Sequence, residues 1–247
     1  MVPGIPWNQR TPNSIGHHSV LLSHYGRREW GIATVIAVLI AIPAVLTGFW
    51  WSLIPIGLCW IAVAGFFRDP LGRRPATSNP HDLISPADGK VSLVERLDSH
   101  EATDGQPAVL VRIFLSVLDV HINRAPCDAE VVSVTHRPGR YLDARSEESA
   151  KVNESNLIVF KSEHDEPIGV RQVSGAIARR IVCPLVPGDR VVRGHRFGMI
   201  KFGSTTELIV RDRPGVEVLV SKGQRVTGGV TVLLREPSPD SNSTSDS

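Results

Sequence analysis

The chain has 247 residues, of which 42% are hydrophobic, and its formal net charge is only +2. This length allows one sizeable core with an added membrane element, and the small charge argues against nucleic acid as a partner. The three cysteines are far apart and odd in number, which argues against a disulfide framework and a CxxC metal site and indicates a reducing compartment.

An apolar run follows a polar N-terminal segment. Residues 1–29 contain several prolines, are expected to be irregular, and lack the pattern of a secretory signal. No charged residue occurs between Ile32 and Phe67, and this run is almost twice as long as the about 20 apolar residues of a single membrane span. Two antiparallel helices over residues 30–67, turning near Gly48 to Pro55, are therefore predicted as a membrane hairpin.

The flanks of this run predict its orientation. Arginines stand before it at positions 27 and 28 and after it at positions 68, 73 and 74. Positive charge on both sides places both ends in the cytoplasm. Two alternatives stay open, namely a buried helical hairpin of a soluble core and a re-entrant hairpin, because the second half is short and contains Pro55.

Residues 68–234 have the pattern of a mainly β domain. Strand-like runs alternate with Gly, Pro and Asp turns, and the only expected helix is a short one over Gly175 to Ile181. From Arg235 to Ser247 the chain reads as a polar tail that buries nothing. The clearest strand-like runs are Ala108 to Leu115, Glu130 to Thr135 and Asn156 to Phe160.

The β domain contains an internal repeat. Gly188–Gly194 and Gly223–Gly229 both read G-x-R-V-x-x-G and are followed by short apolar strands, and Ser85–Val91 is a weaker echo. This pattern is similar to the hammerhead turns of lipoyl- and biotinyl-type domains and predicts a small barrel-sandwich. The alternative explanation of the repeat is that glycine-rich turns recur by chance in β proteins. The presence of a second copy makes this explanation weaker.

Gly203 and Ser204 lie between two apolar runs. A Gly-Ser pair taken alone is usually a turn. However, glycine tolerates a strained backbone, and a serine hydroxyl can attack the preceding carbonyl when a base and oxyanion donors assist. The resulting ester can eliminate and hydrolyse to a pyruvoyl group. Such a group can form a Schiff base with a primary amine and act as an electron sink.

Asp88 and His121 are the candidates for proton transfer. Asp88 lies in a Pro-Ala-Asp-Gly turn, where aspartate ordinarily bonds its own backbone. His121 is of the type suited to proton transfer near neutral pH, although a single histidine is more often structural. Asp119 and His121 alternate along an expected strand, with Asn123 beside them. The remaining histidines lack metal-ligand spacing, so no metal site is predicted.

Five segments, taken in order, resemble the phosphatidylserine decarboxylases, specifically their short bacterial and archaeal branch. The resemblance extends from about Trp30 to Leu234. The segments are Phe66–Pro70 (FFRDP), Ser85–Val91 (SPADGKV), Phe114–Pro126 (FLSVLDVHINRAP), Gln172–Ile181 (QVSGAIARRI) and Gly188–Ser204.

The resemblance implies a membrane-bound proenzyme that cuts itself between Gly203 and Ser204 and turns Ser204 into a pyruvoyl cofactor. A large chain 1–203 and a small chain 204–247 would stay associated. The implied reaction, on the cytoplasmic side of the cell membrane, decarboxylates phosphatidylserine to phosphatidylethanolamine in phospholipid biosynthesis. Its pyruvoyl group would form a Schiff base with the substrate amine. Asp88 matches the family aspartate, and His121 is expected to transfer protons.

Two features depart from longer family members. Those members carry L-G-S-T where this chain has Phe202–Thr205 (FGST). They also use a second histidine, three positions after the one matching His121, with an aspartate to activate the serine. Arg124 occupies that position here and cannot act as a base, so the base that activates Ser204 stays open. The family Asn-Glu pair matches Asn153–Glu154, to which no role is assigned.

Other interpretations use the same residues. An archaetidylserine-type lipid would present the same headgroup as phosphatidylserine. A membrane-anchored carrier or adaptor of lipoyl type fits the repeat, but neither repeat turn offers the lysine that a carrier needs. A membrane serine peptidase has no visible signature. The candidate ligands for a lipid phosphate are Arg112, Arg124, Arg179 and Arg180.

Overall fold

The computed structural model describes residues 21–146, 148–176, 180–201 and 203–238. It contains the helices α1 (Arg27–Leu46), α2 (Leu53–Phe66) and α3 (Ser149–Val152). The strands are β1 (Asp82–Ile84), β2 (Gly89–Leu97), β3 (Ala108–Leu115), β4 (Ile122–Arg124), β5 (Ala129–Arg137), β6 (Ser155–Ser162), β7 (Pro167–Val173), β8 (Arg180–Val182), β9 (Arg190–Val191), β10 (Arg196–Lys201), β11 (Ser204–Arg211), β12 (Glu217–Val218), β13 (Arg225–Val226) and β14 (Val232–Arg235).

The apolar run forms two helices that pack against each other. The 20 residues of α1 correspond to about 30 Å, the thickness of a bilayer core. The chain then turns through Gly48, whose φ of +76° favours glycine, and the indole of Trp60 donates to Thr34 Oγ1 at 2.9 Å. Helix α1 buries no residue and α2 buries only Phe66. The alternative of a hairpin buried in a soluble core is therefore wrong.

Among the residues that the structure describes, one helical segment, His24–Leu46, is long and apolar enough to cross a membrane. The two ends of the helical pair run side by side into the β domain. Ser23 N–H donates to Phe67 O at 2.7 Å, and Asp69 N–H donates to Leu21 O at 2.8 Å. Lys201 at the end of β10 forms an ion pair with Glu29 in the first turn of α1. The helices are thus attached directly to the strand that precedes Gly203.

The β domain is built around one curled antiparallel sheet of eight strands in the order β13-β2-β3-β11-β7-β6-β5-β9. Two three-stranded sheets accompany it, in the orders β1-β14-β12 and β4-β10-β8. One large apolar core lies inside, and its bulky, fully buried members include Ile113, Ile158, Phe160, Ile168 and Phe197. Strand β11 occupies the middle of the large sheet between β3 and β7. This position holds its first residue rigidly.

The internal repeat forms the two outer edges of the large sheet. Strand β9 of the first copy pairs with β5, and β13 of the second copy pairs with β2. In each copy the backbone N–H of the sixth residue donates a hydrogen bond to an aspartate side chain. In the first copy Arg193 donates to Asp128 at 2.7 Å, and in the second copy Gly228 donates to Asp88 at 2.8 Å. The two aspartates lie in matching segments, PADGKV and PCDAEV. The fold therefore contains two related halves.

Several expectations from the sequence are confirmed. Strand β3 matches the predicted run, and β5 and β6 contain the other two. The predicted helix over Gly175–Ile181 is wrong at its described ends, because Gly175 and Ala176 are not helical and residues 180–182 form β8. Residues 177–179 lie outside the described part.

The polar tail begins later than predicted. Arg235 belongs to β14, and Glu236 is buried with its N–H donating to His81 O at 2.9 Å. Antiparallel pairing of β14 with β1 extends the domain beyond the expected boundary at residue 234. At the other end, residues 24–29 were expected to be irregular, but His24–Gly26 form a 3-10 helix and α1 begins at Arg27. Residues 1–20 and 239–247 lie outside the described residues.

Candidate active site

Ser204 is the first residue of β11 and is completely buried. Its backbone pairs with Leu115 of β3, and its side-chain Oγ has no hydrogen-bond partner in the described part of the chain. A buried hydroxyl without a partner costs roughly 1–3 kcal/mol. A hydroxyl kept in this state, in the centre of a rigid sheet, is available as a nucleophile.

The residue before Ser204 has the backbone geometry that only glycine adopts easily. Gly203 has a φ of +62°, in the left-handed region where a Cβ is unfavourable. Its carbonyl, the group between Gly203 and Ser204, packs against Gly175. A Cβ on Gly175 would lie 2.1 Å from Gly203 O. Two glycines therefore fix this peptide group, one by its dihedral angles and one by its small size.

His121 contacts the same peptide segment. Its Nδ1 is 2.9 Å from the carbonyl oxygen of Asp119 and therefore carries the proton, and its Nε2 accepts the N–H of Gly203 at 3.2 Å. The ring is buried against Phe66, with 4.4 Å between the ring centroids. Burial lowers the pKa of His121 to about 4. His121 is thus a neutral imidazole at physiological pH.

Asp119 does not share a strand face with His121, contrary to the expectation from alternation. Residues 116–119 form a turn in which Asp119 Oδ2 accepts from the N–H of Ser116 at 2.8 Å and from its hydroxyl at 2.7 Å. Oδ1 is ion-paired with Arg225 at 3.1 Å. Burial raises the pKa of Asp119, but the Ser116 and Arg225 contacts outweigh it and the net shift is downward. Asp119 orients His121 through its backbone carbonyl only.

The side chain of Asp88 is bound by Arg73 and by a backbone N–H, and not by Ser204. Its carboxylate forms an ion pair with Arg73, whose Nη2 donates to Oδ2 at 2.7 Å, and it also caps Gly228 N–H. Within the described residues, no hydrogen bond joins Asp88 to Ser204 or His121. The capping contact has a counterpart in the other half of the fold at Asp128. The ion pair with Arg73 is what distinguishes Asp88 from Asp128.

A buried amide network, which the sequence did not reveal, supports β11 next to Ser204. Asn123 donates to Thr206 Oγ1 at 3.0 Å and accepts from Gln172 Nε2 at 2.8 Å. Gln172 in turn accepts from Asn156 at 3.1 Å. Thr206 lies two residues beyond Ser204 and so shares its face of the strand. The network fixes the face of β11 from which Ser204 projects.

Asn153, to which the sequence assigned no role, holds the loop beside Gly175. Its side chain accepts from Leu142 N–H at 2.8 Å and donates to the carbonyl oxygens of Leu142 and Ser174, both at 2.9 Å. Ala144 of this loop lies against Gly175, where a Cβ would come within 3.1 Å of the alanine methyl group. Asn153 therefore helps to position the wall around the Gly203 carbonyl.

Arg124 is a buried cation and not a base. Its Nη2 donates to Asp69 at 3.0 Å and its Nη1 donates to Gly194 O at 3.0 Å. Burial lowers the pKa of Arg124 to about 10, which leaves the guanidinium charged. Among the other phosphate candidates, Arg112 is paired with the buried Glu207 at 2.6 Å inside the sheet. Arg180 lies in β8, and position 179 is outside the described residues.

The structure thus brings together a buried serine hydroxyl without a described partner, a constrained peptide group and a neutral histidine, and this arrangement is the candidate active site. The family described as phosphatidylserine decarboxylase matches residues 61–234. A phosphatidylserine decarboxylase proenzyme of Carboxydothermus hydrogenoformans is 42% identical over 205 residues, covering 83% of this chain and 90% of the relative.

Two further relatives carry the same description. The proenzyme of Pelodictyon phaeoclathratiforme is 41% identical and covers 84% of this chain and 98% of its own length. That of Rhodopirellula baltica is 37% identical and covers 93% of this chain and 94% of its own length. The chain belongs to the phosphatidylserine decarboxylase family, and it is accordingly a carboxy-lyase.

Proposed function

We propose that the chain cuts itself between Gly203 and Ser204, that Ser204 becomes a pyruvoyl group, and that the mature enzyme decarboxylates phosphatidylserine to phosphatidylethanolamine. The observation that carries this proposal is the buried Ser204 hydroxyl without a partner, directly after a glycine with a φ of +62°. The relatives are described as proenzymes, which supports a processing step. A structural serine in this position would be expected to have a hydrogen-bond partner.

Self-cleavage is proposed to begin at the peptide group that Gly175 and His121 hold. Ser204 Oγ attacks the Gly203 carbonyl carbon, and the C–N bond breaks as the Ser204 nitrogen takes up a proton. Loss of the Ser204 Cα proton then breaks the Cβ–O bond and releases Gly203 as a carboxylate. Uptake of water and release of ammonia leave a pyruvoyl group at the start of chain 204–247.

His121 is the proposed proton carrier at this centre. Because its pKa is lowered to about 4, its imidazole is unprotonated at neutral pH, which is the form that accepts a proton, although its basicity is reduced. In the uncut chain its Nε2 is engaged by the Gly203 N–H, so it orients the scissile segment. Cleavage turns Gly203 into a chain end and frees this nitrogen. Asp88 is proposed to assist through the charge of its pair with Arg73.

A pyruvoyl group at position 204 would supply an electron-withdrawing carbonyl able to react with the substrate amine and to stabilise the charge left by the departing carbon dioxide. The residues around Ser204 fit such a group, because the pocket of its side chain already holds an unsatisfied polar atom. His121 lies within reach to return a proton to the product. Asn123, Gln172 and Thr206 keep the site rigid, as catalytic geometry requires.

The enzyme is proposed to work at the cell membrane, with residues 30–67 as a membrane hairpin and the catalytic domain on the cytoplasmic side. The absence of buried residues in α1 supports this placement. The turn that leads to His121 adds further support. Leu118 in this turn is 82% exposed, and its backbone oxygen accepts a hydrogen bond from Arg68 Nη2, just after α2, at 2.5 Å. The reactive centre thus adjoins the base of the hairpin, where a lipid substrate is concentrated.

The catalytic domain is proposed to be a barrel-sandwich of the lipoyl and biotinyl type. Its two repeat turns end in Gly194 and Gly229, which approach each other: a Cβ on Gly194 would lie 3.7 Å from Gly229 O. The sheet edges therefore meet, as closure of a curled sheet requires. The catalytic domain is proposed to begin at residue 68, to include β14 and Glu236 at its end, and to be split at 203/204 into chains that stay associated.

Intact mass of the purified full-length protein tests the processing step. The parent chain should give two chains, 1–203 and 204–247, with the smaller lighter by one ammonia than a chain beginning with serine. Ser204→Ala should remain one chain. Thr205→Ala is the matched control, because Thr205 Oγ1 is also buried and unpartnered, and it should still be cut. A parent chain that stays whole when folded in a membrane would overturn the proposal.

Activity of the cut protein tests the substrate. Phosphatidylserine in mixed micelles should yield phosphatidylethanolamine and carbon dioxide, and Ser204→Ala should yield neither. If the protein is cut but turns over a serine ether lipid and not the diacyl lipid, the substrate assignment is wrong while the processing step stands.

A further inference from the structure

A cationic cavity of about 290 Å³ lies where the helical pair joins the β domain. Its lining includes His24 and Pro70 from the two segments that flank the helices. We propose that this cavity binds the phosphate group of an anionic phospholipid headgroup, as a site additional to the Ser204 centre. The cationic side chains that line it are Arg73, Arg124, Arg193 and Arg196, together with His195.

The cavity carries an excess of positive charge. Arg73 is paired with Asp88, and both Arg124 and Arg196 are paired with Asp69. The cavity is thus lined by four guanidinium groups, and only two carboxylates are paired with them. This leaves an excess of two positive charges. A phosphate group supplies the missing negative charge, and the planar guanidinium matches its oxygens.

Arg193 is the lining arginine that has no carboxylate within ion-pair distance in the described part of the chain. Its guanidinium donates to backbone carbonyls, at 2.6 Å to Asn79 O and at 3.4 Å to both Thr77 O and Asp82 O. The carboxylate of Asp82 is ion-paired with Arg235. Backbone carbonyls position a guanidinium but do not neutralise it, so Arg193 presents a fixed charge to the cavity.

Arg124 and Arg196 share the single carboxylate of Asp69, and Arg124 is only 4% exposed. Two cations held at one carboxylate repel each other, most strongly where water does not screen them. An anion in the cavity offsets this repulsion.

The position of the cavity indicates where the anion comes from. His24 lies three residues before α1, and Pro70 lies four residues after α2. Four extended residues reach at most about 14 Å, and the headgroup layer on each side of a bilayer is about 5–8 Å thick. If the helices lie in the membrane, as proposed above, the cavity opens at the depth of lipid phosphates.

The test uses the uncut Ser204→Ala full-length protein in zwitterionic detergent, so that its outcome does not depend on decarboxylation. The probes are phosphatidylglycerol, which has no amine to react, and inorganic phosphate. Lipid retention is counted by native mass spectrometry, and the melting temperature is recorded with each probe. Arg196→Gln is the test variant, Arg196→Lys is its conservative counterpart, and Arg190→Gln on neighbouring β9 is the control with the same charge change.

We expect phosphatidylglycerol to be retained and to raise the melting temperature of the parent and of Arg190→Gln. Affinity should fall about tenfold in Arg196→Gln and largely recover in Arg196→Lys. Equal retention by folded Arg196→Gln and Arg190→Gln would overturn the site. If inorganic phosphate alone produces the full stabilisation, the ligand is a free anion and the assignment to a lipid is wrong.

Discussion

Replacing Gly175 by alanine should stop self-cleavage without removing any reactive group. The new Cβ would lie 2.1 Å from Gly203 O, which is more than about 1 Å inside ordinary van der Waals contact. The Cβ is fixed directly to the backbone of residue 175 and the oxygen belongs to the backbone of Gly203, so neither can rotate away and the clash must displace the scissile carbonyl. A misplacement of about 1 Å costs on the order of a hundredfold in rate. We therefore expect cleavage of Gly175→Ala to be slowed about a hundredfold.

The assay follows conversion of newly made full-length chain into its two fragments by gel electrophoresis, with the melting temperature measured in parallel. Gly169→Ala is the matched control. It crowds the adjoining strand β7, where the new Cβ would lie 2.6 Å from the Ala102 Cβ, but it does not touch the Gly203 carbonyl. The control should lose stability yet cleave within a few fold of the parent rate. If folded Gly175→Ala cleaves at the parent rate, the assigned role of Gly175 is refuted.

Three other predictions concern the remaining groups of the site. Asp128→Asn should lower the free energy of unfolding by about 1 kcal/mol, because a neutral amide oxygen accepts the turn N–H less strongly than a carboxylate does. Asp88→Asn weakens the equivalent contact and also loses the ion pair with Arg73, so it should cost more, and only this variant should slow self-cleavage. Equal cleavage rates would reduce Asp88 to a turn residue. The pKa of His121 is 6.5 in the unfolded chain and about 4 in the folded chain, so protonation of this histidine favours the unfolded chain. About 3 kcal/mol of the free energy of unfolding should therefore be lost as the pH falls from 6.5 to about 4. Melting of uncut protein between pH 7 and pH 4 should therefore be less pH-dependent in His121→Gln, and an unchanged profile would contradict the assignment. Glu29→Gln leaves the buried Lys201 without its partner and should cost about 1–3 kcal/mol, whereas an unchanged melting temperature would show that the pair contributes nothing.

The sequence determined the parts of this protein that depend on local pattern. An uncharged apolar run longer than one span predicts a pair of helices, and the strand-like apolar run Ala108–Leu115 predicts β3 residue for residue. The ordered motifs were sufficient for the family, and they selected Gly203, Ser204, Asp88 and His121 as candidates for one site before any geometry was known. The repeat of G-x-R-V-x-x-G turns was also readable, because such turns need glycine where φ is positive.

Only the tertiary structure decided which side chains meet across long stretches of chain. Asp119 and His121 suggested a shared strand face, but the Ser116 contacts close a turn there and leave the histidine only a backbone carbonyl. Asp88 pairs with Arg73, and Gly175 approaches Gly203, through curling of the sheet that no local period encodes. The charge balance of the arginine cavity likewise depends on which carboxylates lie within reach. Contacts of this kind follow from the packing of β11 between distant strands, and packing is a property of the whole chain.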